Sequence, residues 1–229
     1  MGWRSIRLSF EYPEFFVCQI RAILRAATHN EKQVRLLLPM ITTRSEILKV
    51  RRMVAQAQRS LERERLSYGH TQLGIMVEVP AAAIAIDTLL DVVDFVSIGS
   101  NDLVQYLTAA DRGNPKVAPL CEPLSPAVLR ILKTVVEACN RVGKPVSLCG
   151  EMASSPRALP LLFGMGLRSL SMSPAFVPAI KELLIHLTVE RAERALKRTL
   201  QMKNSRDIVR FMDRELADMC PSLTVLETS

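Results

Sequence analysis

Short apolar runs recur along this chain, and each is followed by a stretch of helical periodicity. The runs occupy residues 36–40, 74–78, 94–99, 146–150 and 169–172. They do not alternate apolar with polar residues, as a strand with one wet face would, so they read as strands buried on both faces. Strands of that kind, linked by helical crossovers, require a parallel α/β sheet covered on each side. Two architectures meet the requirement: a closed (β/α)8 barrel or a doubly wound open sheet. No G-x-G-x-x-G follows any of the strands, which leaves a dinucleotide-binding fold without support.

Local signals fix several element boundaries. Thr43 and Glu46 stand three apart and predict a capping box. The helix that follows is expected to bury Ile47, Val50, Val54 and Leu61. A short helix is expected over residues 81–90. Ser125 and Pro126 form a helix start, Ser as N-cap and Pro at the first helical position. Val128, Leu129, Leu132, Val135, Val136 and Cys139 then share one face, and Gly143 ends the helix. Residues 157–163 read as helix. From 173 to Cys220 the chain reads as helical with a break near Lys203 and Asn204, and Pro221 onward as frayed. We expect a barrel domain over residues 1–188 and a helical tail over 189–229.

Composition removes other classes. The five cysteines (Cys18, Cys121, Cys139, Cys149, Cys220) are odd in number and contain no C-x-x-C. That argues against a disulfide framework or structural zinc site and for a reducing, cytoplasmic setting. The most apolar stretch, residues 79–98, is broken by Asp87, Asp91 and Asp94, so membrane insertion is not expected. The net charge is +7, but the basic residues are scattered and few aromatics stand among them. This is not a nucleic-acid pattern. Solvated helix faces explain most of it, and an anionic small substrate would profit from the same field. His29, His70 and His186 match no metal or triad spacing and read as surface or loop residues.

The informative polar residues stand where strands end. Glu78, then Asn101 and Asp102, then Cys149 each follow an apolar run. In a parallel barrel those ends converge on the face where active sites are built. Two carboxylates and an amide form an oxygen-rich set suited to Mg2+. Arg112 returns to the same mouth at loop distance, and Arg4 is a second candidate cation. A hard dication with arginines suits a phosphate or carboxylate ligand. Each residue has a plainer reading by itself. Asp102 can cap the helix that begins at Leu103, Arg112 can be a turn residue, and Cys149 can be core.

The same residues carry a family resemblance. The segments are 74–82 (Gly74 through Glu78 and Pro80), 94–106 (Asp94 through Gly99, Asn101, Asp102 and Tyr106), Ala110-Asp111-Arg112-Gly113-Asn114, and Cys149-Gly150-Glu151-Met152-Ala153. Together with Gly2-Trp3-Arg4 and residues 19–26, they resemble the C-terminal domain of the phosphoenolpyruvate–protein phosphotransferases. These start the bacterial sugar phosphotransferase system or its nitrogen-regulatory parallel. The resemblance covers nearly the whole chain and weakens after about Leu184. Pyruvate phosphate dikinases and phosphoenolpyruvate synthases are similar, but their segment after Cys-Gly usually differs from Glu-Met-Ala.

The resemblance implies a (β/α)8 barrel that binds phosphoenolpyruvate and Mg2+. It implies Glu78 and Asp102 as metal ligands, and Arg4, Asn101, Asp102 and Arg112 as substrate-binding residues. It implies Cys149 as the acid that protonates carbon 3 of the enolate. It also implies pyruvate as product, a homodimer, and a phosphocarrier protein reached through a histidine-bearing N-terminal domain. None of the three histidines here matches that domain's Thr-Ser-His context. Against the family pattern, about two strands are missing upstream, so about six of eight are expected. Ser154 and Ser155 stand where Gly-Asp is usual, and Cys121 and Glu122 where Tyr-Gln is common. Two other readings stay open on the sequence: a non-catalytic ligand-binding or dimerisation module, and a lyase of the metal–enolate barrel type.

Overall fold

The computed structural model describes residues 2–29 and 34–221. Their contacts divide the chain into two compact units, residues 1–97 and 98–229. The first unit opens with helices α1 (Ile6–Glu11) and α2 (Pro13–Ala26). Strand β1 (Arg35–Leu38), helix α3 (Arg44–Arg63), strand β2 (Gln72–Val77), helix α4 (Pro80–Ile84) and strand β3 (Phe95–Gly99) follow. β3 straddles the boundary between the units.

β1 and β2 pair in parallel, with Leu36 opposite Leu73 and Leu38 opposite Ile75. β2 is bounded on its other side by the start of β3. There the Asp94 N–H donates to the Leu73 carbonyl at 2.7 Å, and its carboxylate accepts from the Leu73 N–H at 2.8 Å. Gly74 is required by this neighbour, because a Cβ there would lie 2.4 Å from the Phe95 ring. The expected capping box forms, Glu46 accepting from the N–H groups of Thr42 and Thr43, each at 2.7 Å. α3 buries Ile47, Val50 and Leu61 as expected, with Met53 and Ala57, whereas Val54 is half-buried at the edge of that face. Arg21 on α2 grips Glu64 with two bonds of 2.6 Å, which holds that carboxyl down to about 2.

Two expectations need correction in this unit. The helix expected over 81–90 is three pieces, α4 and two 3-10 turns at Ile86–Thr88 and Leu90–Val92. Five strands, not about six, are found among the described residues. The segment carrying Arg4 adds no strand: Gly2 and Ser5 have φ of 78° and 55°, and the Arg7 N–H turns back to the Arg4 carbonyl. Left-handed residues cannot extend a ladder.

The second unit contains helices α5 (Ser100–Thr108) and α6 (Pro126–Arg141), strand β4 (Val146–Cys149), helix α7 (Leu159–Gly164) and strand β5 (Leu170–Ser171). Helices α8 (Val177–His186), α9 (Val189–Thr199) and α10 (Ser205–Met219) complete it. β4 pairs in parallel with β5, Leu148 opposite Leu170 and Cys149 opposite Ser171. The mixed α/β architecture with parallel pairing expected from the apolar runs is therefore present. Ser125 caps α6 by accepting from the Val128 N–H, and every residue of the predicted apolar face is buried. The break near Lys203 is real: Asn204 caps α10 by accepting from the Asp207 N–H at 2.9 Å. α7 lies close against α9, since a Cβ on Gly164 would stand 2.5 Å from the Ala192 carbonyl. Among the described residues no helix is long and apolar enough to cross a membrane.

Cys139, deep on the α6 face, has its thiol pushed up to about 12 by burial. Its ordinary value is 9.0. A raised value means the proton is held more tightly in the folded chain. The stabilisation is complete below pH 9 and is lost as pH rises toward 12. Urea denaturation between about pH 8 and 11 is expected to show stability falling in the wild type and falling less in Cys139→Ala. Equal slopes would remove Cys139 as the cause.

Candidate active site

A short cleft in the second unit is lined by two of the predicted residues, Asn101 and Arg112. β3 runs straight into α5 with Gly99 between them, so Ser100, Asn101 and Asp102 form the first turn of α5. β4 ends at Cys149, and Gly150 turns the chain into a 3-10 turn at Glu151–Ser154. The two strand exits are bonded together. The Ser100 hydroxyl donates to the Cys149 carbonyl at 2.7 Å. The Cys149 thiol donates to the Ile98 carbonyl at 3.5 Å. The Asn101 side chain accepts from the Glu151 N–H at 3.0 Å, and its amide reaches the Glu151 carboxylate at 3.5 Å.

Arg112 closes the rim. The loop after α5 begins at Ala109, which is left-handed at φ 52°. The Arg112 N–H donates to Gln105 at 3.2 Å, while its guanidinium lies 3.7 Å from the exposed Glu151 carboxylate. The cleft has a volume of about 190 Å³ and is lined by Ser100, Asn101, Val104, Arg112, Cys121, Glu151 and Met152, with Ala118 and Pro123. Asp102 and Cys149 are half-buried beside it and do not line it. Cys121, one of the departures from the family pattern, is part of the wall, its thiol donating to the Ala110 carbonyl at 3.3 Å.

Gly150 makes this junction possible. Its φ is 104°, and a Cβ there would stand 2.4 Å from the Ser100 hydroxyl and 2.8 Å from the Asn101 side-chain oxygen. Gly143 has φ 66° with open space around it. Gly150→Ala is expected to cost about 1–3 kcal/mol through strain and displacement together. Gly143→Ala is expected to cost about 1 kcal/mol through strain alone. Denaturant unfolding of both variants reads the difference. Equal losses would mean that the Ser100–Asn101 contacts do not restrict the turn.

Glu78 and Arg4 lie in the first unit. Glu78 follows β2 directly and is 4% exposed. One carboxylate oxygen accepts from the Met40 N–H at 2.7 Å, and Met40 has φ 58°. Arg4 is exposed in the bend before α1. Glu78 and Asp102 each offer carboxylate oxygens, the donor type that a hard dication such as Mg2+ takes.

Sequence reasoning named Asn101, Asp102, Arg112 and Cys149 as site residues but not Glu151, Ser100 or Gln105. Glu151 carried a readable signal, since it directly follows a glycine at a strand exit. The roles of Ser100 and Gln105 as props depend on bonds across the fold that no spacing reveals.

Comparison with known proteins adds to this geometry. A family model described as PEP-utilising enzyme, PEP-binding domain, matches residues 1–189. The multiphosphoryl transfer protein of Escherichia coli O6:H1 is 42% identical over 209 residues, covering 91% of this chain and 25% of that protein. The phosphoenolpyruvate-protein phosphotransferase of Cupriavidus necator is 42% identical over 202 residues, covering 88% of this chain and 34% of that protein. The chain thus spans about a quarter to a third of the length of these relatives. A solved citrate lyase from Burkholderia xenovorans aligns with a TM-score of 0.52 at 19% identity, over 88% of this chain and 69% of that one, a likeness of fold alone.

Proposed function

We propose that this chain, which belongs to the PEP-utilising enzyme family as its PEP-binding domain, binds phosphoenolpyruvate for phosphoryl transfer to a histidine on another domain. Pyruvate is the product. The observation that carries this reading is the bonded junction of two strand exits, where Asn101 and Arg112 face one cleft and Cys149 stands beside it.

Each residue has a chemical task in this reading. Arg112 and Arg4 neutralise anionic oxygens of the substrate, which is most of what phosphoryl transfer asks of a protein. Asn101 orients the substrate from a position braced by the Glu151 backbone. Glu78 and Asp102 would hold Mg2+, which supplies charge neutralisation at phosphate and carboxylate oxygens. After the P–O bond breaks, the enolate of pyruvate remains. The Cys149 thiol gives its proton to carbon 3, a C–H bond forms, and the electron pair of the S–H bond stays on sulfur as thiolate. The thiol must be protonated to act, and in the resting structure it donates to the Ile98 carbonyl.

The wider reading follows from the family. Residues 1–188 are part of a (β/α)8 barrel, and the tail that follows is helical over Val189–Thr199 and Ser205–Met219. The active species is a cytoplasmic homodimer that passes phosphate to a phosphocarrier protein through a histidine domain. Calorimetric titration of the chain with phosphoenolpyruvate, with and without Mg2+, tests the core of the proposal. Saturable binding that depends on Mg2+ is expected. A folded chain that binds neither phosphoenolpyruvate nor oxalate would overturn it.

A further inference from the structure

We propose that Glu182, His186 and Cys220 form a second cation site, suited to Zn2+ or a similar borderline metal and separate from the oxygen-donor pair Glu78 and Asp102. Glu182 and His186 are four apart at the end of α8, so they share one helix face. The His186 Nε2 lies 3.5 Å from a Glu182 carboxylate oxygen. Cys220 directly follows α10, and its thiol turns toward the same pair. One carboxylate oxygen, one imidazole nitrogen and the sulfur all lie within 4.8 Å of one another.

The dimensions suit the metal. Zn–N and Zn–O bonds of about 2.0–2.2 Å and a Zn–S bond of about 2.3 Å, set tetrahedrally, place ligand atoms about 3.5 Å apart. The His186–Glu182 pair already has that spacing, and the sulfur, within 4.8 Å of both, has at most about 1.3 Å to close. Burial is asymmetric. Cys220 is 2% exposed within an apolar cluster that includes Leu183, Leu187, Leu216 and Met219. Glu182 and His186 are exposed. The protein therefore provides a dry thiol floor and an open outer face where water can supply the fourth ligand. A thiolate with an imidazole selects Zn2+ over Mg2+, which takes oxygen ligands. Loading the site would release the Cys220 proton and tie the end of α8 to the end of α10.

The test uses the full chain, stripped with a chelator and kept reduced in excess Mg2+, then titrated with Co2+ and with Zn2+. One equivalent of Co2+ is expected to produce thiolate-to-metal charge-transfer absorption that Zn2+ displaces. Zn2+ is expected to raise the thermal midpoint. Cys220→Ser should abolish the absorption, His186→Gln should weaken binding by at least about tenfold, and Cys149→Ser should leave it intact. No stoichiometric absorption, or absorption that survives Cys220→Ser, overturns the proposal. If Cys220→Ser does not fold, the two exposed positions decide. Undiminished affinity in either His186→Gln or Glu182→Gln overturns it, and loss in both supports it.

Discussion

With Cys149 replaced by alanine, exchange of the pyruvate methyl protons with deuterated solvent is expected to slow by about 10²–10⁴-fold. The sulfur is placed by the backbone around it. β4 delivers Cys149 in register with Ser171 of β5, and Ser100 holds the Cys149 carbonyl. The sulfur is then aimed at the Ile98 carbonyl at the end of β3. A group placed this firmly loses little on reaction, which is where a general acid gains its rate. Exchange of pyruvate in the presence of Mg2+ runs the protonation step backward, so it needs neither the phosphoryl group nor an acceptor histidine. NMR of the methyl signal reads it directly in this chain. Phosphoenolpyruvate affinity should stay within a few fold, because the variant removes the proposed proton donor and leaves the proposed anion contacts, Asn101 and Arg112, in place. Serine should be nearly as slow as alanine, since a hydroxyl is far less acidic than a thiol. Exchange at the wild-type rate in Cys149→Ala would assign the proton to another group.

The second large effect concerns the carboxylates. Asp102→Asn and Glu78→Gln are each expected to weaken Mg2+-dependent phosphoenolpyruvate binding by about 100-fold, at the top of the range seen even for outer-sphere partners of a metal. Amides are chosen over alanine for a structural reason. Glu78 accepts from the buried Met40 N–H, and truncation would leave that group unsatisfied at about 1–3 kcal/mol. A glutamine side chain keeps an acceptor there and removes only the charge. Asp102 sits in the first turn of α5, where a carboxylate also favours the helix by about 0.3–1 kcal/mol. That loss is small beside the expected change in binding. Unfolding measured beside binding keeps the two effects apart. Mg2+ dependence that persists in both variants would place the metal elsewhere.

Several features were decided by the sequence alone, because they rest on local chemistry. Apolar runs without alternation leave a strand no wet face, so parallel pairing followed. The Thr43–Glu46 spacing, the Ser125–Pro126 pair and the six-residue α6 face depend on contacts within a few helical turns. The places of Asn101, Asp102 and Cys149 at the exits of β3 and β4 were legible because each stands at the end of an apolar run.

Other features only the tertiary structure decided. Gly2 and Ser5 turn left-handed and take the Arg4 segment out of strand geometry, which residue type does not announce. Val54 is only half-buried while Met53 and Ala57 are buried, because the neighbours packed on α3, and not its periodicity alone, set where the buried stripe ends. Ser100, Gln105 and Glu151 became props of the cleft through bonds that join separate strands and loops. His186 had no ligand spacing in the sequence, and only the packing of α8 and α10 brings the Cys220 sulfur to it. Local pattern reports what a segment prefers by itself, whereas a site assembled from distant segments exists only once burial has brought them together.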